Sequence, residues 1–226
     1  VYKRQALDVT PAVAAEAAEL GADLIVAHHP VMNVRWHEQE LQTLREDTRL
    51  GGLLTYLVRH DLSAICMHTN LDAAEGGVND CLAQKLGLSG TIPLNEQKIG
   101  RIGTLSCEIP LEQFLHDVVK SLGCRGLRYR SGGRPVRRVA VGGGACGEYI
   151  PQALAQGCDT FVTSDLRYND FLDTQGLNLI DAGHFPTEDV VCAEVVRRLQ
   201  KAFPDIRVSK SAVHHDAVQY YMTEGE

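Results

Sequence analysis

The sequence predicts an α/β protein made of two similar lobes, and three observations support this prediction. Short apolar runs alternate with amphipathic segments along the whole chain, which is typical of strands joined by helices in largely parallel sheets. Residues 20–27 and 156–163 share a glycine, an aspartate and an apolar run, each after an alanine-rich helix. Polar and acidic residues follow strand ends in both halves. Two copies of one unit predict two lobes that face each other across a cleft, and chance similarity between ordinary helix-to-strand units is the alternative.

The composition indicates an ordinary globular protein. The chain has 226 residues, of which 44% are hydrophobic, and this is enough for one large domain or two smaller lobes. The net charge of −7 argues against a nucleic-acid binder held by phosphate contacts. No apolar run reaches the roughly 18 residues of a membrane span, so we expect no membrane association. Arginines are concentrated between residues 125 and 138, where a solvated face is the favoured interpretation and an anionic substrate is the alternative.

The cysteines predict reduced thiols. The seven cysteines are scattered, odd in number and free of any C-x-x-C pair, which favours neither a disulfide framework nor a zinc knuckle. Several of them, such as Cys66, lie in apolar contexts where cysteine behaves as a small buried hydrophobe. We therefore expect a cytoplasmic protein.

The first half predicts strands and helices in alternation. Thr10 and Pro11 suit a helix N-cap and first helical position, and Gly21 suits a helix end. The expected elements are a strand at 4–9, a helix at 12–20, a strand at 24–27, a helix at 50–60, a strand at 62–68 and a helix that closes near Gly87, with a polar stretch at 33–47.

The second half restarts the pattern. We expect a strand at 101–109, a helix at 110–122 ended by Gly123, strands at 126–129 and 136–141, and a helix to residue 155. The glycines at 142–144 form a strand-to-helix turn, for which tight backbone packing is favoured over a phosphate cradle. The predicted domains are a first lobe at 1–98, a second lobe at 99–209, and a C-terminal segment at 210–226 that returns to the first lobe.

Two adjacent histidines close the apolar strand at 24–27. His28 and His29 precede Pro30, which lacks an N–H and ends the strand ladder. Ligands collect outside the carboxyl ends of strands in open α/β sheets, and imidazoles there are suitable metal ligands. Neighbouring strand residues point to opposite faces, so the pair converges only if the backbone turns. A packed or surface pair is the alternative interpretation.

Carboxylates and a third histidine follow later strands. Asp72 lies after the strand at 62–68, and Pro186 suits a helix start that places Glu188 one turn beyond His184. Three imidazoles and two carboxylates suit two divalent ions that share a carboxylate, and a single mononuclear site is the alternative. Iron, zinc, manganese and magnesium all accept such ligands.

The remaining histidines have other interpretations. His68 is predicted either to assist catalysis as a general base or partner of Asp72, or to be a hydrogen-bonded histidine at a strand end. We expect His37, His60 and His116 to be solvated. His214 and His215 repeat the adjacent pair without a carboxylate-rich strand end, so we expect both to lie away from the site.

Several motifs resemble one family. They are G-A-D-L-I-V-A-H-H-P, H-T-N-L-D-A-A-E-G-G-V-N-D, the central G-G-G, T-S-D-L-R-Y-N-D and L-I-D-A-G-H-F-P-T-E. Over nearly the whole chain the sequence is similar to the dinuclear-metal Ngg-interacting-factor family, also described as type 2 GTP cyclohydrolase I. The resemblance implies that His28, His29, Asp72, His184 and Glu188 are the metal ligands, with the metals in a cleft between two lobes, and that the chain forms a toroidal homo-hexamer.

Two departures from the family pattern matter. A second-lobe motif that usually resembles G-D-x-K-Y-H-D begins here at Ser164 and has Asn169 in the histidine position, so a proton-transferring side chain is absent there. The opening helix and a W-D-N-x-G-L segment are also missing. The only tryptophan, Trp36, follows the histidine pair instead.

The leading functional hypothesis is a metal-dependent hydrolase of a nucleotide-like small molecule. Ring opening of the GTP cyclohydrolase type is the special case that the resemblance implies. The alternative is a non-catalytic metal-binding, metal-chaperone or scaffold protein.

The internal repeat also makes a prediction about the start of the chain. In the second copy, a helix and a strand precede residue 136, and the same prelude in the first copy would lie before residue 1. We therefore expect that about 30 or more N-terminal residues precede this sequence, the length of one βα-type unit.

Overall fold

The computed structural model describes residues 2–32 and 44–221. The chain divides into two compact units: unit 1 runs to Leu71 and includes Cys192–His215, and unit 2 comprises Asp72–Val191 and the residues from Asp216 onward. Trp36, His37 and most of the predicted polar stretch at 33–47 lie outside the described residues. Among the described residues, no helix is long and apolar enough to cross a membrane.

Residues 2–32 and 44–221 contain ten strands and nine α-helices. The strands are β1 (Tyr2–Ala6), β2 (Leu24–Ala27), β3 (Ser63–Cys66), β4 (Ser89–Pro93), β5 (Arg101–Ile109), β6 (Arg128–Arg130), β7 (Val136–Val141), β8 (Thr160–Thr163), β9 (Asn178–Asp181) and β10 (Arg207–Lys210). The helices are α1 (Pro11–Glu19), α2 (Arg49–Arg59), α3 (Thr69–Ala73), α4 (Val78–Lys85), α5 (Leu111–Leu122), α6 (Ile150–Ala155), α7 (Tyr168–Asp173), α8 (His184–Glu188) and α9 (Val190–Ala202). A 3-10 turn at Gly147–Tyr149 precedes α6.

Unit 1 contains a four-stranded parallel sheet. Its strand order is β10-β1-β2-β3, and every neighbouring pair is parallel. The predicted strand at 4–9 lies earlier, at Tyr2–Ala6, whereas the strand at 24–27 has the predicted bounds. Because all four strands are parallel, their carboxyl ends lie at one edge of the sheet. This edge holds the residues that follow β1, β2, β3 and β10.

The core of unit 1 joins this sheet to its helices. Thr10 caps α1 by accepting a hydrogen bond from the Val13 amide at 3.2 Å, as the Thr-Pro sequence predicts. The buried side chains that pack together include Val13, Ala17, Ile25, Leu53 and Leu57. This apolar cluster contains no candidate metal ligand, so the fold of unit 1 has its own hydrophobic support.

The six-stranded sheet of unit 2 corrects the prediction of largely parallel sheets. Its order is β4-β5-β7-β8-β9-β6, and only the pairs among β7, β8 and β9 are parallel. The remaining pairs are antiparallel. Alternation of apolar and amphipathic segments predicts strands and helices but does not encode the direction in which neighbouring strands pair. The parallel prediction therefore holds for unit 1 and for the centre of the sheet in unit 2.

Local turn chemistry in unit 2 follows the sequence closely. The strands at 101–109 and 136–141 have their predicted bounds, and Gly123 ends α5 in the left-handed conformation at φ 66°. One helix start differs from the prediction. The helix α8 begins at His184 and not at Pro186, because Gly183 turns the chain at φ 87° immediately after β9. The edge strand β4 was not predicted.

The compact units differ from the predicted domain bounds. The predicted second lobe at 99–209 includes most of α9 and β10, but these elements from Cys192 onward belong to unit 1. The reason is strand pairing: β10 lies parallel to β1, with Tyr2 opposite Arg207 and Gln5 opposite Lys210. Residues 72–98, which were placed in the first lobe, belong to unit 2.

Candidate metal centre

Three histidines cluster at the carboxyl edge of the sheet in unit 1. His28 and His29 follow β2, and His68 follows β3, whose last residue pairs with the last residue of β2. The ring centroids are separated by 5.0 Å for His28 and His29, 5.1 Å for His28 and His68, and 5.6 Å for His29 and His68. One ligand nitrogen from each ring lies within 4.8 Å of the others, so the three imidazoles could hold a metal ion.

The backbone turns where the two adjacent histidines lie. The amides of His28 and His29 both donate to the Leu7 carbonyl, at 3.1 and 2.9 Å. In a regular strand, consecutive amides point in opposite directions and the side chains alternate between faces. Two consecutive amides on one acceptor break that alternation. The neighbouring rings therefore converge, as a metal site at this position requires.

Hydrogen bonds fix the orientation of both rings. His28 Nδ1 lies 2.7 Å from the Met67 carbonyl oxygen, and His29 Nδ1 lies 2.7 Å from Asp8 Oδ1. A carbonyl oxygen and an ionised carboxylate only accept, so both Nδ1 atoms donate. In the neutral ring the other nitrogen, Nε2, then carries the lone pair that a metal needs. This arrangement is the usual orientation of a metal-binding histidine.

A second donor group lies in unit 2 at the start of α8. His184 Nε2 lies 3.0 Å from Glu188 Oε2, and His184 Nδ1 lies 2.6 Å from Asp165 Oδ2. The hydrogen bond to Glu188 is the largest cause of a rise in the pKa of His184 to about 9, and Asp165 adds to it against the effect of burial. Because the spacing of four residues spans one helical turn, α8 itself brings His184 and Glu188 together.

The glycine turn after β7 packs directly against this group. Gly144 has a φ of 67°, and a Cβ there would overlap Glu188 Oε1 and lie 3.0 Å from its Cδ. The Gly143 and Gly144 amides donate to Asn79 Oδ1 at 2.9 Å and Thr187 Oγ1 at 3.1 Å. These amides thus bind the protein's own side chains. The turn serves close packing around the Glu188 carboxylate, the interpretation favoured above over a phosphate cradle.

Asp72 belongs to the same part of unit 2. Its backbone carbonyl accepts a hydrogen bond from Asn79 Nδ2 at 3.0 Å, and the Asn79 side chain also binds the glycine turn. Burial raises the pKa of the Cys146 thiol to about 12, and the charges of Asp72 and Glu188 contribute to the rise. Both carboxylates therefore act on the same buried thiol, which indicates a concentration of negative charge that a cation would offset.

Sequence reasoning missed two residues that contact the candidate ligands and a third that contacts one of these two. Asp8 binds His29, Asp165 binds His184, and His214 lies 3.0 Å from Asp8 Oδ2. The expectation that His214 lies away from the site was wrong, because the residues after β10 return to the edge of the unit 1 sheet. Asp8 and Asp165 each follow a strand, and that position was the available signal. His215 is exposed, as are His60 and His116.

The arginine-rich stretch has mainly structural contacts. Arg128 forms an ion pair with Asp181 and donates to the Leu166 carbonyl, and Arg130 donates to the Phe171 carbonyl at 2.7 Å. Arg138 donates to the Gln156 carbonyl at 3.1 Å. Arg125, Arg128, Arg134 and Arg137 are exposed, which agrees with the solvated face favoured for this stretch over an anion site. All seven cysteines lie in the described residues, and no disulfide joins any two of them.

The fold and the donor groups define a class: an α/β protein of two units that carries histidine and carboxylate groups suited to a metal ion. Residues 4–217 match the model of the Duf34/NIF3 (NGG1p interacting factor 3) family. The chain belongs to this family. The resemblance found in the motifs is confirmed, and so is the expected α/β architecture.

Individual relatives agree with this assignment. The chain is 32% identical over 205 residues to a GTP cyclohydrolase 1 type 2 homolog of Clostridium perfringens, with 87% of this chain and 76% of the relative covered. The crystal structure of a Bacillus cereus protein related to NIF3 has a TM-score of 0.88 and 25% identity, and covers 97% of this chain and 89% of its own. A Staphylococcus aureus hypothetical protein, SA1388, has a TM-score of 0.88 and 27% identity, with coverages of 97% and 87%.

Proposed function

We propose that the chain is a metal-dependent hydrolase of a nucleotide-like small molecule, and that His28, His29, Asp72, His184 and Glu188 hold two divalent ions. The observation that carries the proposal is the histidine cluster of unit 1, in which the Nδ1 atoms of His28 and His29 are held by acceptors. An arrangement that fixes Nδ1 as a donor leaves Nε2 as the coordinating atom.

The residues of unit 2 fit the same role. Glu188 is 3% exposed, and a buried carboxylate requires compensation by a cation or by hydrogen bonds. The glycine turn leaves space for this carboxylate that a side chain at residue 144 would fill. Nitrogen and carboxylate ligands suit zinc, iron and manganese, and carboxylates also suit magnesium. When bound, such ions supply a nucleophilic hydroxide at neutral pH and stabilise the charge that develops during hydrolysis.

We assign proton transfer to His68. Its side chain is exposed, whereas His28 in the same cluster is buried. A solvent-accessible imidazole next to bound substrate can take up and return a proton near neutral pH, because its ordinary pKa lies there. His29 and His28 have their Nδ1 atoms engaged and serve as ligands. His68 therefore combines access to solvent with proximity to the ligands.

The substrate class follows from the relatives and is a proposal for this chain. The Clostridium perfringens relative is named a GTP cyclohydrolase 1 type 2 homolog, which makes GTP the first compound to test. Metal-loaded protein should be incubated with GTP, other nucleotides and phosphodiesters, and products separated by chromatography. We expect turnover of a nucleotide-like compound that disappears with chelator and returns with added metal.

A matched pair of variants sharpens this experiment. His68→Ala should lower kcat by about 100-fold or more, the usual contribution of a positioned acid or base. Because His68 also belongs to the three imidazoles that could hold a metal ion, metal content is measured in parallel: an unchanged content supports proton transfer, and a lowered content supports a ligand role. His60→Ala is the control, because His60 is exposed on unit 1 and its Nδ1 lies 2.9 Å from the Tyr56 carbonyl oxygen, one helical turn earlier. Metal-loaded protein that turns over no member of the panel would contradict the enzymatic proposal.

One observation favours a second candidate function, a non-catalytic metal-binding, metal-chaperone or scaffold protein. Asn169 is exposed on α7, at the position where the family motif usually has a histidine. An amide cannot transfer a proton at neutral pH. Asn169→His discriminates the two candidates: a gain of turnover without a change in metal content would identify a chain that binds metal but lacks a catalytic group.

We also propose that the chain assembles as a homo-hexamer in the cytoplasm. Light scattering coupled to size exclusion should then give six times the 24.7 kDa of one chain. A monomeric mass would contradict the proposed assembly but would leave the proposed metal ligands unaffected.

A further inference from the structure

A hydrogen-bonded chain connects the C-terminal part of unit 1 to a candidate metal ligand. Asp8 follows β1, and His214 follows β10, the parallel neighbour of β1. His29 Nδ1 lies 2.7 Å from Asp8 Oδ1, and His214 Nε2 lies 3.0 Å from Asp8 Oδ2. One carboxylate therefore contacts two imidazoles, one through each oxygen, and the Asp8 amide also donates to His214 Nε2 at 3.1 Å.

The segment that carries His214 is held in place by unit 1. The Ser211 amide donates to the Gln5 carbonyl at 2.7 Å, and the Ala212 amide donates to Glu16 Oε1 at 2.9 Å. The first contact continues the pairing of β10 with β1 for one residue beyond the strand, and the second binds the segment to helix α1. Because these contacts fix the segment, they also fix the position of His214 relative to the sheet.

The adjacent histidines His214 and His215 differ in burial. His214 is 9% exposed, whereas its neighbour His215 is exposed. His214 Nε2 lies against both the amide and the carboxylate of Asp8, and the other carboxylate oxygen accepts from His29 Nδ1.

We propose that His214 is a positioning residue for the metal ligand His29, and that it acts through the Asp8 carboxylate. With its amide and one oxygen against His214 Nε2, Asp8 has a fixed orientation, and its other oxygen fixes the ring of His29 so that Nε2 would be available to a metal ion. Without His214 the carboxylate can rotate, and the ring of His29 loses its alignment. The inference rests on the proposed function in one respect, namely that His29 is a metal ligand.

The test is a double-mutant cycle on zinc affinity, measured by competition with a chromophoric chelator. Asp8→Ala should weaken the affinity by about 10- to 100-fold, the usual effect of removing the partner of a ligating histidine. His214→Ala should weaken it by roughly tenfold. In the Asp8→Ala background, His214→Ala should have no further effect, because its route to His29 is gone.

Two further variants distinguish a loss of His29 positioning from a general disturbance of the fold. His214→Gln retains an N–H donor for the carboxylate and should restore most of the affinity lost in His214→Ala. His215→Ala removes the adjacent exposed imidazole and should leave the affinity unchanged. In the metal-free protein, ¹⁵N NMR of the imidazoles should show His29 in one tautomer with a proton on Nδ1, and a mixture in His214→Ala.

The outcomes are distinguishable from those of the proposed function. Equal zinc affinity in His214→Ala and wild type, or losses that add in the double variant, would overturn the positioning role even if the protein hydrolyses nucleotides. A full coupling between residues 8 and 214 would support it even if no substrate is turned over. A wild-type chain that binds no zinc would overturn both proposals.

Discussion

At the scale of single residues, the candidate ligands depend on partners that lie far away in sequence. His29 is oriented by Asp8, and His184 by Asp165. The candidate ligands could be selected from the sequence because they combine a metal-binding side chain with a position after an apolar strand. Their partners could not, since a lone aspartate after a strand looks the same whether it faces a histidine or solvent. Whether such an aspartate faces a histidine or solvent depends on how the strands pair.

A buried ion pair in unit 1 gives a prediction about stability. Arg4 and Glu16 form an ion pair with side chains 7% and 11% exposed, and Glu16 also accepts from Ser211 Oγ at 2.5 Å. Glu16→Gln leaves the Arg4 charge buried without its counter-ion. We expect a loss of about 3 kcal/mol in the free energy of unfolding, the lower end for breaking a buried pair because glutamine keeps one acceptor. Urea denaturation measures this loss.

The same pair predicts a dependence of stability on pH. Burial opposes ionisation of Glu16, but the hydrogen bonds from Arg4 and Ser211 and the Arg4 charge lower its pKa below the ordinary 4.5. A lowered folded-state pKa contributes stability above the unfolded value, and this contribution is lost as the pH falls below about 4.5. Wild type should therefore lose more stability than Glu16→Gln between pH 6 and pH 3. Glu19→Gln, an exposed change on the same helix, should behave as wild type.

At the scale of elements, the sequence was most informative where the residues of a segment determine its structure without long-range contacts. The strands β2, β5 and β7 have the predicted bounds, and the cap of α1 and the end of α5 follow from Thr10 and Gly123. The edge strand β4 was missed because its Ser-Gly-Thr-Ile-Pro sequence contains a glycine and a proline, which are disfavoured in strands. Hydrogen bonding to β5 on one side stabilises β4 as a strand despite this low strand propensity.

The glycine turn after β7 gives a prediction about metal content, and Gly157 provides the control position. Gly144→Ala would place a Cβ against the Glu188 carboxylate, displace it and lower metal content. Gly157→Ala has a similar backbone strain, at φ 72° compared with 67°, but nothing lies within 4 Å of its Cβ. Both variants should lose about 1 kcal/mol or more of stability from strain, and only Gly144→Ala should lose metal. Equal metal content in the two variants would show that the turn does not shape the site.

At the scale of the whole molecule, two α/β units were predictable from the repeat, but their bounds were not. Pairing of β10 with β1 joins residues about 200 positions apart, as between Gln5 and Lys210. Nothing in the local pattern of β10 distinguishes a strand of the second unit from one that returns to the first. Long-range pairing of this kind also explains why His214 was placed away from the site.

The separate hydrophobic cores predict that metal removal leaves the fold intact. Unit 1 has one apolar cluster, which includes Ile25 and Leu53, and unit 2 has two, which include Phe114 and Phe161. Since none of these clusters depends on a metal ion, chelation should abolish hydrolysis and leave the far-UV circular dichroism spectrum unchanged. Loss of the helical signal on addition of chelator would instead identify a structural metal.

The metal content of the purified protein tests whether the candidate ligands hold metal ions. Elemental analysis of wild type should give up to two divalent ions per chain, and Glu188→Ala and Asp72→Ala should lower this content sharply because each removes a proposed ligand. Glu148→Ala removes an exposed carboxylate of unit 2 and should retain the wild-type content. Unchanged metal in both Glu188→Ala and Asp72→Ala, with correctly folded protein, would contradict the assignment of these residues as ligands.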